Sequence, residues 1–235
     1  MPDIMSYSAC QQLFERNHLH LDESAYEKLD QYANLLIAES ERQNVTAVRT
    51  ITEIWTRHFL DSAYLLEYIE GKDVLDLGTG GGIPAIPLAI MNRELNISML
   101  DSEQRKIDFC QSAIKNMNLN AQTICGRAEE LSRKGDFEEK FDTIVSRAMA
   151  NGSMLTELAV RFLRVDGVLL AMKGKQYDPT AERFENAAEA LGCIVEKVIP
   201  YELEHEAKNL IIIRKVSKTP EQYPRRFAKI KHSPL

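Results

Sequence analysis

Cysteine is scarce in this sequence and poorly spaced for chemistry: Cys10, Cys110, Cys125 and Cys193 are scattered over 235 residues. No two stand at the spacing of a zinc-ligand pair or a redox dithiol. That argues against a metal site and a disulfide framework, and suits thiols kept reduced in a cytoplasm. Long apolar runs are missing too. The longest, residues 83–91, contains Pro84 and Pro87 and falls far short of the ~20 apolar residues that cross a bilayer. Residues 1–24 are polar and mixed in charge, unlike a secretory signal. A cytoplasmic protein without a membrane partner is expected.

Positive charge is in deficit, with a net charge of −6. A protein that coats nucleic acid over a broad surface is thereby disfavoured. The imbalance is uneven, however. From Lys208 onward eight lysines and arginines face one acid, Glu221, so that stretch carries +7 and the rest of the chain −13. A basic end on an acidic body suits either a local phosphate contact or a solubilising, partly disordered tail.

What is present reads as one α/β chain in three parts: a helical extension (1–70), a ligand-binding domain (71–216) and a basic tail (217–235). In the first part, residues 22–43 form an amphipathic pattern with Asp22 or Ser24 as cap, and Leu29, Ala33, Leu36 and Ile37 recur at helical spacing. A polar turn follows at Asn44. A second helix starts at Thr50 or Thr52, with Ile54, Trp55, Phe59, Leu65, Leu66 and Ile69 as its stripe, and ends at Gly71.

From residue 73 short apolar runs alternate with helical stretches. Strands are expected at 73–77, 97–100, 122–125, 143–146, 168–172, 194–199 and 210–214, with helices at 84–91, 103–116, 153–163 and 180–191. Such alternation implies a parallel sheet covered by helices on both faces. The last two strands have no helix between them and are expected to form an antiparallel hairpin.

The chemistry-bearing motif is Val74-Leu75-Asp76-Leu77-Gly78-Thr79-Gly80-Gly81-Gly82-Ile83-Pro84. A strand runs into glycines and then into a helix, so a ligand can approach the main chain at the carboxyl edge of the sheet. Gly78, Gly80 and Gly82 are the cofactor-contact candidates in this loop. The dinucleotide fingerprint requires a third glycine at position 83, where this chain has Ile83. No Gly-Lys-Ser/Thr follows, which excludes a nucleoside-triphosphate loop. The second strand ends at Asp101, whose carboxylate offers acceptors for both ribose hydroxyls of an adenosine; a solvated strand-end acid is the plain alternative. S-adenosylmethionine is the expected cofactor.

Several segments together resemble the ribosomal RNA small-subunit guanine-N7 methyltransferase family, also called glucose-inhibited division protein B. They are Asn44-Val45-Thr46-Ala47-Val48-Arg49; Arg57-His58-Phe59-Leu60-Asp61-Ser62; the glycine loop with Ile83-Pro84-Ala85-Ile86-Pro87-Leu88; Leu100-Asp101-Ser102 with Arg105-Lys106; Gly126-Arg127-Ala128-Glu129-Glu130; Ser146-Arg147-Ala148; Met172-Lys173-Gly174; and Tyr223-Pro224-Arg225-Arg226. The helix around His58 and the Ser-Arg-Ala after strand four are more specific than the glycine loop. Gly81-Gly82-Ile83 departs from the family's usual residues but keeps an apolar side chain for the ligand.

The resemblance implies a Rossmann-like class I methyltransferase fold and methylation of N7 of a guanine in bacterial 16S ribosomal RNA. It also implies cofactor contacts at Gly78, Ile83, Ala128, Glu129 and Arg147, with Arg147 where cofactor and substrate meet. The same resemblance lifts Arg57 and His58 above a surface ion pair and makes them RNA contacts. Lys173 is either a solvated loop lysine or a phosphate contact to the RNA, and Arg225 and Arg226 in the family-like tail are further RNA-contact candidates. The partner is then small-subunit ribosomal RNA or a 30S-type particle, bound by what needs to be no more than a monomer.

Guanine N7 is a lone pair with no proton to remove, so alignment suffices and no general base is needed. A nucleophilic cysteine after proline is absent, as is the Asn/Asp-Pro-Pro-aromatic motif of amino-group enzymes. Replacing Arg147 with alanine is expected to abolish methylation with little change in thermal unfolding. A small-molecule methyltransferase and a non-catalytic nucleotide-binding assembly factor are the alternative readings.

Overall fold

A computed structural model describes residues 5–43 and 45–235; the turn expected at Asn44 lies outside them. The chain opens with α1 (Tyr7–Arg16), capped by Ser6. Next comes α2 (Glu23–Ser40), where Asp22 accepts the Ala25 N–H at 2.7 Å. Asp22 is thus the cap of this helix. Thr50 caps α3 (Ile51–Ile54), which runs without a break into a π-helical turn (Trp55–Phe59), α4 (Leu60–Leu65) and a 3-10 turn (Leu66–Tyr68). This helix ends before Gly71. The wide turn falls where Trp55 and Phe59 pack edge to face, with ring centroids 5.0 Å apart.

Beyond it lie β1 (Asp73–Leu77), α5 (Ala85–Met91), β2 (Asn96–Asp101), α6 (Gln104–Met117), β3 (Ala121–Cys125) and α7 (Ala128–Leu131). The second half comprises β4 (Phe141–Arg147), α8 (Gly152–Ala159), β5 (Leu163–Gly174), α9 (Pro179–Glu182), α10 (Phe184–Leu191), β6 (Cys193–Leu203), β7 (Glu206–Lys215) and α11 (Phe227–His232). Seven strands form one sheet in the order β3-β2-β1-β4-β5-β7-β6. The first five are parallel, while β7 runs antiparallel to both β5 and β6. The strand order reverses between β1 and β4, and ligands bind at the carboxyl ends of strands at such a switch point.

The final hairpin is longer than the apolar pattern suggests. Its turn holds Glu204 and His205, both with positive φ (48° and 64°), in a conformation that glycine and asparagine adopt more readily. Arg16 and Asn17 bond the Glu204 carboxylate and tie the turn to α1.

Two buried clusters cover the two faces of the sheet. One joins Phe14, Tyr32, Trp55 and Phe59 to Ile86, Leu88, Met99 and Leu170, so the N-terminal helices share their core with the sheet. The other gathers Phe141, Phe162, Phe184 and Ile230. Ile230 lies in α11, and the C-terminal segment is therefore docked. Arg133 donates to the Glu221 and Pro224 carbonyls, and Arg161 to that of Tyr223.

Candidate functional site

A cavity of about 1160 Å³ opens at the carboxyl edge of the sheet, over the switch point between β1 and β4. The ends of β1, β2 and β3 supply Gly78, Gly80, Ile83, Asp101, Ala128 and Glu129 to one half of its wall. Arg57, His58, Asp61, Lys173, Tyr201 and Lys208 line the other half, and Arg147 at the end of β4 lines it too. The structure thus brings onto one wall ten of the residues singled out from the sequence.

The glycine loop is shaped for a ligand at one of its three candidate positions more than at the others. Gly80 has φ +56° and nothing within 4 Å of where a Cβ would stand. Its N–H donates to Asp101 Oδ2 at 3.0 Å, and Glu103 N–H donates to Oδ1 at 3.0 Å. Each carboxylate oxygen keeps a lone pair for a hydroxyl in the cavity. Gly82 departs from its expected contact role: it is not on the cavity wall. With φ +90°, its missing Cβ would stand 2.5 Å from Ile86 Cδ1 and 3.1 Å from the Tyr32 hydroxyl. Glycine at 82 serves packing, and Tyr32 holds the loop from α2 by donating to the Gly81 carbonyl at 2.5 Å.

Asp76 sits beneath the loop, fully buried. Its Oδ2 accepts from Thr79 Oγ1 at 2.6 Å and from Ala85 N–H at 3.4 Å. Among the described residues Oδ1 has no partner, and burial pushes the carboxyl pKa up to about 7. The residue orders the loop from within.

At the centre of the wall stands a connected polar group. Arg147 donates to the Arg57 carbonyl at 3.0 Å and to His58 Nδ1 at 2.6 Å, and lies 3.6 Å from Asp61 Oδ2. Asp61 Oδ1 accepts from Lys208 Nζ at 2.7 Å. His58 Nε2 is 2.7 Å from Thr46 Oγ1. Burial and the adjacent guanidinium lower the His58 pKa to about 3, so its ring is neutral near pH 7. The helix through the π turn places Arg57, His58 and Asp61 together on this wall.

Several expected RNA contacts are otherwise engaged. His58 is only 5% exposed, and its two ring nitrogens face Arg147 and Thr46. Arg225 is held by Glu157, a carboxylate with no exposed surface, through its N–H, its Nε at 2.8 Å and its terminal nitrogen at 2.5 Å. That buried charge needs a partner, and Arg225 supplies it. Lys173 donates to the Ala150 carbonyl and pairs with Glu182, both at 2.8 Å. Arg57 pairs with Glu206 at 3.3 Å and Glu53 at 3.7 Å. The Lys208, Arg214 and Lys215 charges are likewise met by Asp61, Glu70 and Glu139. Arg226 remains exposed.

Sequence reasoning did not find Tyr201 or Lys208 as wall residues. Tyr201 stacks on Tyr64 with ring centroids 4.1 Å apart, and Lys208 lies opposite it in the β6–β7 register. Only the pairing of that hairpin with β5 carries them to the cavity, and no local pattern signals it. Among the described residues no cluster of His, Cys, Asp and Glu is placed to hold a metal, and no helix is long and apolar enough to cross a membrane.

The strand order, the glycine loop and the cavity at the switch point define a class I methyltransferase. Solved structures with this fold include an O-methyltransferase from Bacillus cereus in complex with SAH, at TM-score 0.59 and 18% identity over 88% of this chain and 97% of that one. A putative sarcosine dimethylglycine methyltransferase from Galdieria sulphuraria matches at TM-score 0.53 and 15% identity, over 72% and 89%. A family model described as rRNA small subunit methyltransferase G matches residues 25–211, and the chain belongs to that family. Relatives named ribosomal RNA small subunit methyltransferase G are 36% identical in Clostridium beijerinckii, covering 99% of this chain and 98% of that protein. In Desulfitobacterium hafniense the figure is 35%, covering 94% of each.

Proposed function

We propose that this protein transfers the methyl group of S-adenosylmethionine to N7 of a guanine in 16S ribosomal RNA. Gly78, Gly80, Asp101, Ala128 and Glu129 would hold the cofactor's nucleoside and amino-acid parts. When bound, the cofactor supplies an activated methyl group. The open space at Gly80 and the spare acceptor capacity of Asp101 fit such a ligand.

The observation that carries the reading is the state of the acid–base groups beside Arg147. Neither is available as a base: His58 is neutral with both nitrogens bonded, and each oxygen of Asp61 faces a cation. No cysteine lines the cavity among the described residues, so attack on a pyrimidine carbon has no nucleophile. A substrate atom that already presents a lone pair and loses no proton suits this wall, and guanine N7 is such an atom. Catalysis then rests on alignment of N7 with the methyl group. Arg147 adds a fixed positive charge at the junction.

The exposed Arg226 at the start of α11 and Arg127, whose guanidinium lies over the Phe227 ring at 5.5 Å, would meet phosphates at the rim. Methyl transfer from labelled cofactor to small subunits purified from cells lacking the gene tests the reading. A single strand cleavage at one N7-methylated guanine is expected. Absence of label in RNA would overturn it.

A further inference from the structure

We infer that the Thr46 hydroxyl is a fixed hydrogen-bond donor that reads O6 of the target guanine and so sets guanine over adenine. The inference rests on the proposed reaction and names a specificity residue for it.

The argument follows protons along the chain of contacts. A guanidinium only donates, so His58 Nδ1, 2.6 Å from Arg147, accepts. The neutral ring therefore carries its hydrogen on Nε2 and donates it to Thr46 Oγ1 at 2.7 Å. Val48 N–H donates to the same oxygen at 3.1 Å. Both lone pairs of the hydroxyl are then used, and its own hydrogen has no acceptor among the described residues. Thr46 is half-buried and lines the cavity. Its only remaining hydrogen-bonding capacity toward a ligand is as a donor.

Position selects what is read. Residue 45 packs over the loop, with Val45 Cβ 3.1 Å from where a Gly81 Cβ would stand, and Thr46 is one bonded step from the His58–Arg147 pair. The hydroxyl thus sits where the cofactor half and the substrate half of the wall meet. Beside N7, guanine presents the acceptor O6 and adenine presents the N6 amino donor. A hydroxyl that cannot accept matches the first and leaves the second facing another donor. Arg147, His58 and Asp61 act here as positioning residues, because they fix which way Thr46 points.

The test pairs a protein deletion with a base deletion. Thr46→Val and Thr46→Ser would be compared with the wild type on small subunits carrying guanine or 2-aminopurine, which keeps N7 and lacks O6, at the methylated position. On guanine, Thr46→Val is expected to lower kcat/KM roughly 10- to 100-fold, while Thr46→Ser stays within about threefold of wild type. On 2-aminopurine, wild type and Thr46→Val should fall together, since the bond is already absent. Cofactor Kd, measured on the same variants, is expected to be unchanged and reports a folded site. An equal penalty for Thr46→Val on both bases, or loss of cofactor binding in Thr46→Ser, would overturn the inference. Failure of the wild type to methylate guanine would instead overturn the proposed reaction itself.

Discussion

His58 Nδ1 lies 2.6 Å from the Arg147 guanidinium, and the pair fixes both the charge and the tautomer of the imidazole. Burial and the adjacent cation hold its pKa near 3, well below the ordinary histidine value of about 6.5. The unfolded chain therefore binds a proton between those limits that the folded protein does not. Stability contributed by neutral His58 is complete above about pH 6.5 and is lost as pH falls toward 3, at about 1.4 kcal/mol per pH unit. Nitrogen NMR should show an Nε2–H ring that does not titrate between pH 5 and 8. A midpoint near 6.5 would contradict the assignment.

Arg147→Ala should abolish methyl transfer. Its thermal unfolding should also shift, contrary to the expectation from sequence, because the guanidinium bonds the Arg57 carbonyl and His58 and faces Asp61. Removing it leaves partly buried acceptors unpaired, a loss of about 1–3 kcal/mol. Chemical denaturation of the variant measures it, and full activity would remove the residue from the site.

Two adjacent arginines should separate stability from substrate binding. Arg225→Ala strands the buried Glu157 carboxylate and is expected to cost about 3–5 kcal/mol. Arg226→Ala touches an exposed side chain and should change unfolding by no more than about 0.5 kcal/mol. Only the second should weaken binding to small subunits in a salt-dependent way without altering the melting temperature.

Gly80→Ala and Gly82→Ala should fail differently. Both positions have positive φ, a strain of about 1–2 kcal/mol for alanine. At Gly80 the methyl enters open space on the cavity wall, so cofactor affinity should fall while the fold survives. At Gly82 it meets Ile86 and Tyr32, so unfolding should show the larger loss. Calorimetric titration and denaturant melts on the two variants provide the comparison.

How much the sequence disclosed varies with the range of the interaction. The caps were readable to within two residues, Asp22 or Ser24 and Thr50 or Thr52, because a cap bonds a backbone N–H three residues away; the structure selects Asp22 and Thr50. The parallel strands were readable because burial on both faces leaves short, continuous apolar runs. The turn at Glu204–His205 was not, since its positive φ values are stabilised by Arg16 and Asn17 nearly 190 residues away. The π turn at Trp55–Phe59 was hidden for a similar reason: its aromatic rings pack against Phe14, Tyr26 and Tyr32 from other helices.

The sequence by itself determined the alternation of strand and helix, the glycine loop, the acid ending β2 and the family to which the chain belongs, because each is written in neighbouring residues. Tertiary structure alone decided which charges are free. Of the basic residues near the C-terminus, Lys208, Arg214, Lys215 and Arg225 meet acids from distant elements, and Arg226 meets none among the described residues. It also decided that the His58 ring lies between Thr46 and Arg147. Charge and hydrogen-bonding capacity belong to residue types, but whether a protein group or a ligand uses them depends on what folding brings within 3 Å.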